Sequence, residues 1–199
     1  MSAEAQFSVE ICILAGGLSQ RMGKDKSKLK FGGHTMLGRI RATAKTLNLP
    51  VQLIRRDAVA RCGPLGGIYT ALKTTKADAV LFLACDMPFV TGSLLRTLLK
   101  HFRQPDRALF VQSGRKPGFP LVLHRETLPT VSRQIRQKRF SLQQLAFELR
   151  AKFFTPSARQ QTQLRNINTP EEWNRAVRFF GRETVPVQRA KASSSPRRC

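Results

Sequence analysis

Short continuous apolar runs alternate along the chain with segments in which apolar residues recur every three or four positions. Val9 to Ala15 (VEICILA) is the first run, and it ends on Gly16 and Gly17, as a buried parallel strand does where it enters a loop. A loop rich in Gly, Ser and cations continues to Lys28. Leu37, Ile40, Ala44 and Leu47 then fall at helical spacing, and Pro50 stops that helix before the apolar run Val51 to Ile54. Pro64 to Leu72 reads as a helix, Ala79 to Ala84 (AVLFLA) as a second buried strand, and Leu94, Leu95, Leu98, Leu99 and Phe102 as the apolar face of an amphipathic helix. Strands are expected at Ala108 to Gln112 and Phe119 to Leu123, helices near Glu126 to Gln137 and Ser141 to Leu149, and a further helix from Pro170 to Phe180. This alternation predicts a three-layer α/β domain, a mostly parallel sheet covered by helices on both faces.

With 199 residues, 41% of them hydrophobic, the chain has material for one compact domain, assigned to residues 1–180. Residues 181–199 carry no large apolar side chain after Val187 and set Ser193, Ser194 and Ser195 among Arg and Lys, so they are read as a disordered basic tail. Lys and Arg number 35 against 12 Asp and Glu, a net charge of +23, which points to an anionic partner: nucleic acid, a phosphorylated ligand or a membrane surface. The tail is expected to bind polyanions without specificity. Cys12, Cys62, Cys85 and Cys199 form no CxxC pair, and no long apolar run precedes the first strand. The expectation is a reduced, soluble, cytoplasmic protein with no zinc site and no membrane partner.

The candidate chemistry starts at Leu14 to Lys26, LAGGLSQRMGKDK. Two glycines at a strand end let backbone N–H groups approach phosphate oxygens, while Arg21, Lys24 and Lys26 offset their charge. A Walker A loop is excluded, because Gly23-Lys24 is followed by Asp25 and Leu18 stands where the first glycine belongs. Gly-x-Gly-x-x-Gly spacing is also missing between Gly16 and Gly23, which argues against a dinucleotide oxidoreductase.

LAGG-x-S-x-RMG-x-DK resembles the signature loop of the molybdenum cofactor guanylyltransferases, and the resemblance extends from about Ile11 to Trp173. It implies a Rossmann-like nucleotidyltransferase fold that joins GTP to the phosphate of molybdopterin and releases pyrophosphate. Leu14, Ala15, Gly16 and Gly17 would hold the nucleotide, with Lys26 and Arg21 at its phosphates. Cys85-Asp86-Met87-Pro88-Phe89 follows the run AVLFLA, which puts Asp86 at the carboxyl end of a strand, where open α/β sheets bind ligands; an acid there suits Mg²⁺. The family carries D-M-P-F at that place. Read alone, Asp86 also serves to cap the turn at Pro88.

Arg61 to Ile68 (RCGPLGGI) resembles the family's second glycine segment, with Gly63 beside the nucleotide, and Asp57 fits the family's base-reading acid, although an ordinary loop Asp has the same appearance. Asn166-Ile167-Asn168-Thr169-Pro170-Glu171-Glu172 resembles a segment that faces the pterin or the metal, which gives Asn166 and Asn168 a pterin-side role; Thr169 and Pro170 read as a helix N-cap and first helical residue. Relatives insert another strand, ending in a base-holding Asn, before the glycine segment, and Arg39 to Gly63 is too short for it. Transfer from CTP, or to another phosphorylated acceptor, therefore stays open. A nucleic-acid-binding protein on the same fold is a third reading, motivated by +23. His34, His101 and His124 stand apart from any nucleophile, and the run Arg133, Arg136, Lys138, Arg139 is either a solvated face or a neighbour of the pterin phosphate.

Overall fold

The computed structural model describes residues 7–16, 30–31, 33–59, 61–114 and 116–180; the expected phosphate-loop residues Gly17, Arg21 and Lys26 and the tail 181–199 lie outside them. In chain order the strands are β1 (Val9–Leu14), β2 (Lys30–Phe31), β3 (His34–Thr35), β4 (Val51–Ile54), β5 (Ala79–Ala84), β6 (Ala108–Ser113), β7 (Lys116–His124) and β8 (Lys152–Phe154). The helices are α1 (Met36–Lys45), α2 (Pro64–Thr74), α3 (Gly92–His101), α4 (Leu128–Arg136), α5 (Leu142–Glu148), α6 (Ala158–Gln163) and α7 (Pro170–Phe180), and a 3₁₀ turn over Arg125–Thr127 leads into α4. None of the described helices is long and apolar enough to cross a membrane.

Six strands form one sheet in the order β4-β1-β5-β7-β6-β8. β1 pairs parallel with β4 and β5, and β6 pairs parallel with β8, while β7 runs against both of its neighbours. Because successive side chains of a strand point to opposite faces, each apolar strand feeds two cores. Ile11, Ile13, Leu81, Leu83, Leu109 and Val122 meet α1 and α3 on one face; Cys12, Leu14, Val80, Phe82, Phe110 and Leu121 meet α2, α4 and α5 on the other. Near-continuous apolar runs are what a strand buried on both sides requires. At α1 and α3 side chains replace the missing backbone acceptors: Thr35 accepts from Gly38 N–H (2.9 Å), and Thr91 from Leu94 N–H (3.2 Å).

Elements absent from the expectations are small or polar. β2 and β3 form a two-residue antiparallel ladder, and β8 is a three-residue edge. α6 buries no residue, so no apolar period marks it; only the Ser157/Gln160 capping box betrays its start.

Candidate active site

Parallel pairing aligns the ends of three strands: Leu14 of β1 lies in register with Ile54 of β4 and Ala84 of β5. Two hydrogen bonds carry the alignment past the sheet edge, Ala15 N–H to the Ile54 carbonyl (2.8 Å) and Cys85 N–H to the Leu14 carbonyl (3.1 Å). Ala15-Gly16, Arg55-Arg56-Asp57 and Cys85-Asp86 therefore emerge side by side at the carboxyl edge, where this sheet architecture gathers ligands.

Asp57 is wedged between Gly16 after β1 and two glycines of α2, Gly66 and Gly67. A methyl group built on Gly16 would lie 2.9 Å from the Arg55 carbonyl oxygen and 3.5 Å from Oδ1 of Asp57; one on Gly67 would lie 3.3 Å from the same Oδ1. On Gly66 it would lie 2.8 Å from Asp57 Oδ2 and 2.8 Å from the Val59 carbonyl oxygen. Burial pushes the Asp57 carboxyl above its ordinary range, so its ionised form is short of solvation and would gain from a ligand N–H donor. Gly63 stands just ahead of Pro64, the first residue of α2, with φ +55°, a backbone state that costs other residues strain. Gly66→Ala is expected to force the Asp57 carboxylate out of place, at a stability cost of about 1–3 kcal/mol. A denaturant melt read beside nucleotide affinity checks this; unchanged values in both would mean the cleft yields without consequence.

Asp86 is half-exposed, with Oδ1 buried at the end of β5. Its carbonyl accepts from Ile167 N–H (2.9 Å), which draws residues 166–168 to the strand end. Glu172 holds that segment by accepting from Asn168 N–H (2.6 Å) and Thr169 N–H (3.1 Å), while Glu172 N–H donates to Thr169 Oγ1 (3.2 Å), a reciprocal cap on α7. Ile167, Met36 and Ala176 bury together beneath it. Among the described residues no group of three or more His, Cys, Asp and Glu gathers for a metal. A lone carboxylate fits a hard cation that takes its remaining oxygen ligands from nucleotide phosphates and water, as Mg²⁺ does.

Beyond Asp86 the next residue, Met87, begins the wall of a cleft of about 630 Å³. Met87, Phe119 and Leu164 give it apolar sides, and Lys116, Arg165 and Arg175 bring cations. Asn166 lines this cleft whereas Asn168 does not; Arg133, Arg136, Lys138 and Arg139 are likewise absent from its lining. The three cations of the cleft were missed in the sequence, where Arg165 shows only as a neighbour of Asn166 and Lys116 falls in the unassigned interval between the expected strands Ala108 to Gln112 and Phe119 to Leu123. Of the cysteines near β1 and β5, Cys12 is buried beside Glu10 and its thiol is pushed up to about 12, chiefly by burial, which removes it as a nucleophile.

The family model of the MobA-like NTP transferase domain matches residues 11–150. A molybdenum cofactor guanylyltransferase of Pseudomonas putida is 30% identical over 180 residues, covering 81% of this chain and 93% of that protein. A probable molybdenum cofactor guanylyltransferase of Carboxydothermus hydrogenoformans is 27% identical, covering 87% and 97% of the two chains. Among solved structures, molybdopterin-guanine dinucleotide biosynthesis protein A from Archaeoglobus fulgidus superposes with a TM-score of 0.68 at 19% identity, over 84% of this chain and 96% of that one.

Proposed function

Because the chain belongs to the MobA-like NTP transferase family, and is thereby a nucleotidyltransferase of molybdenum cofactor biosynthesis, we propose that it transfers the guanylyl group of GTP to the phosphate of molybdopterin. A terminal phosphate oxygen of the acceptor forms the new bond to the α-phosphorus, the bond between the α- and β-phosphates breaks, and pyrophosphate leaves. No covalent enzyme intermediate is needed. The observation that carries this reading is the position of Asp86 between two unlike spaces, the glycine-lined niche of Asp57 and the cation-bearing cleft that starts at Met87.

In this reading the backbone of Leu14 to Gly16 borders the nucleotide together with Gly17 and Gly63, and Asp57 accepts from the N–H groups of guanine. Asp86 would hold Mg²⁺, which when bound offsets the charge on the triphosphate. Lys26 and Arg21 neutralise phosphate charge that grows as the bond to pyrophosphate breaks. Asn166, with Lys116, Arg165 and Arg175, receives the pterin and its phosphate, and Asn168 steadies the segment above Asp86. The protein's contribution is positioning and electrostatics. Nothing in the chemistry requires a membrane, and we place the enzyme in the cytoplasm.

One observation favours a second base: among the described residues between Arg39 and Gly63, β4 is the only strand, and it leads directly to Arg55. Thermal melts with Mg²⁺ and GTP, CTP or ATP separate the alternatives, since the preferred ligand stabilises the fold most; at a hundred times Kd the gain is about 2.7 kcal/mol. The largest shift is expected with GTP and should shrink in Asp57→Asn. A larger shift with CTP would make the chain a cytidylyltransferase, and no shift with any triphosphate would remove the nucleotide reading.

A further inference from the structure

From the end of α4 to β8 the surface carries three phenylalanines that the cores do not take up. Phe147 is 83% exposed, Phe153 49% and Phe140 36%. Helical geometry accounts for the first: Leu145, Ala146 and Leu149 turn the buried face of α5 to the sheet, which leaves Phe147 pointing outward. β8 accounts for the second. Phe153 is in register with Phe110, whose side chain lies in the core under α4 and α5, so Phe153 projects on the α5 side of the sheet, at its outer strand. Together these residues leave on the order of 300 Å² in water, and the Ala151 N–H to Ala146 carbonyl bond (2.9 Å) keeps the chain of Phe147 close to that leading to Phe153.

The charge around the rings has one sign. Between Leu128 and Thr169 the chain has eight Lys and Arg and a single acid, Glu148. That acid is mostly covered and already engaged by Arg133 (3.2 Å) and Arg139 (4.0 Å). Asp106, the other acid at this edge, has a side chain only 5% exposed and is taken by Lys152 (2.6 Å). Arg136, Lys138 and Arg150 remain as exposed cations of the rim.

We propose that this face docks an acidic protein segment with large apolar side chains, its rings seated on Phe147 and Phe153 and its carboxylates on Arg136, Lys138 and Arg150. Charge selects this occupant. A second copy would bring the same cations against each other, and like charges meeting across an interface cost affinity. Nucleic acid would use the cations first, yet Arg133, Arg139 and Lys152 are spent on Glu148 and Asp106, and the face also exposes Phe147 and Phe153. An apolar centre rich in Phe and Arg with a charged rim is the composition of protein interfaces. The face begins a few residues along α5 from Leu142, which lines the cleft beyond Asp86, so the partner would sit next to the acceptor side of the enzyme.

The test selects a random displayed peptide library on the full chain and measures the winners by anisotropy against wild type, Phe147→Ser with Phe153→Ser, and Arg136→Glu with Arg150→Glu. Expected are peptides that combine Asp or Glu with Phe, Leu or Trp and bind each double variant at least about tenfold more weakly. All four positions are exposed, so unchanged melting temperatures should accompany the loss, and an unchanged GTP-induced shift keeps this result separate from the nucleotide reading. Peptides lacking either acidic or apolar residues, or binding equally well to the variants, would overturn the proposal. So would poly(U) binding that is lost in the phenylalanine variant, which would make the face a nucleic-acid surface, or a wild-type dimer that the same variant dissolves.

Discussion

Asp86→Asn is expected to lower turnover by about a thousandfold or more, because a cation at the reacting phosphates supplies several kcal/mol and each 1.36 kcal/mol is a factor of ten. The change removes one negative charge and almost no volume. The Asp86 carbonyl accepts from Ile167 N–H, and that backbone bond is indifferent to the side chain. Melting temperature should therefore stay near wild type while pyrophosphate release collapses, and higher Mg²⁺ should recover part of the loss if metal affinity is what failed. Near wild-type turnover would take Asp86 out of the mechanism and leave it as a turn residue ahead of Pro88.

Lys26→Ala is expected to cost on the order of a hundredfold in kcat, the scale found when one preorganised group aimed at developing charge is deleted. Its motivation is chemical: Lys26 ends the motif Leu14 to Lys26 that contains Gly16 and Gly17, and an ammonium is the group that charge on triphosphate oxygens calls for. The loss should fall on kcat more than on KM, since charge on the departing pyrophosphate grows only as the bond breaks. Single-turnover rates with GTP saturating measure this directly. A change below about threefold, under one kcal/mol, would give Lys26 a structural task instead.

How much of this was legible differs by element. The strands β1 and β5 announced themselves because a strand buried on both faces must be almost wholly apolar: AVLFLA is so throughout, and VEICILA departs from it only at Glu10, near the less buried start of β1. Strand direction has no such signature: β7 runs antiparallel between β5 and β6, and the left-handed Gly114 at the hairpin is the local hint. Asp86 could be placed at a strand end from the run AVLFLA before it, and Asp57 is singled out only through the family resemblance, whereas the approach of Ile167 to Asp86 spans 81 residues of chain and depends on packing around Met36 and Ala176. Phe147 is legible only once the helix is drawn. A phenylalanine in LQQLAFEL looks like core until the helical turn is followed, and then it stands a third of a turn from Ala146 and outside.

The hydrogen bond from Ile167 to Asp86 also bears on how the enzyme comes into being. On the ribosome, a nascent chain that has reached β7 already possesses the paired strand ends, Asp57 among its glycines and Asp86, so a place for the nucleotide can exist early. Arg165, Asn166 and Arg175 have yet to be made at that moment, and the wall of the acceptor cleft arrives with them. Under the proposed function, a translation product cut short before Arg165 would lack the wall that seats the second substrate, and could hold GTP but not spend it.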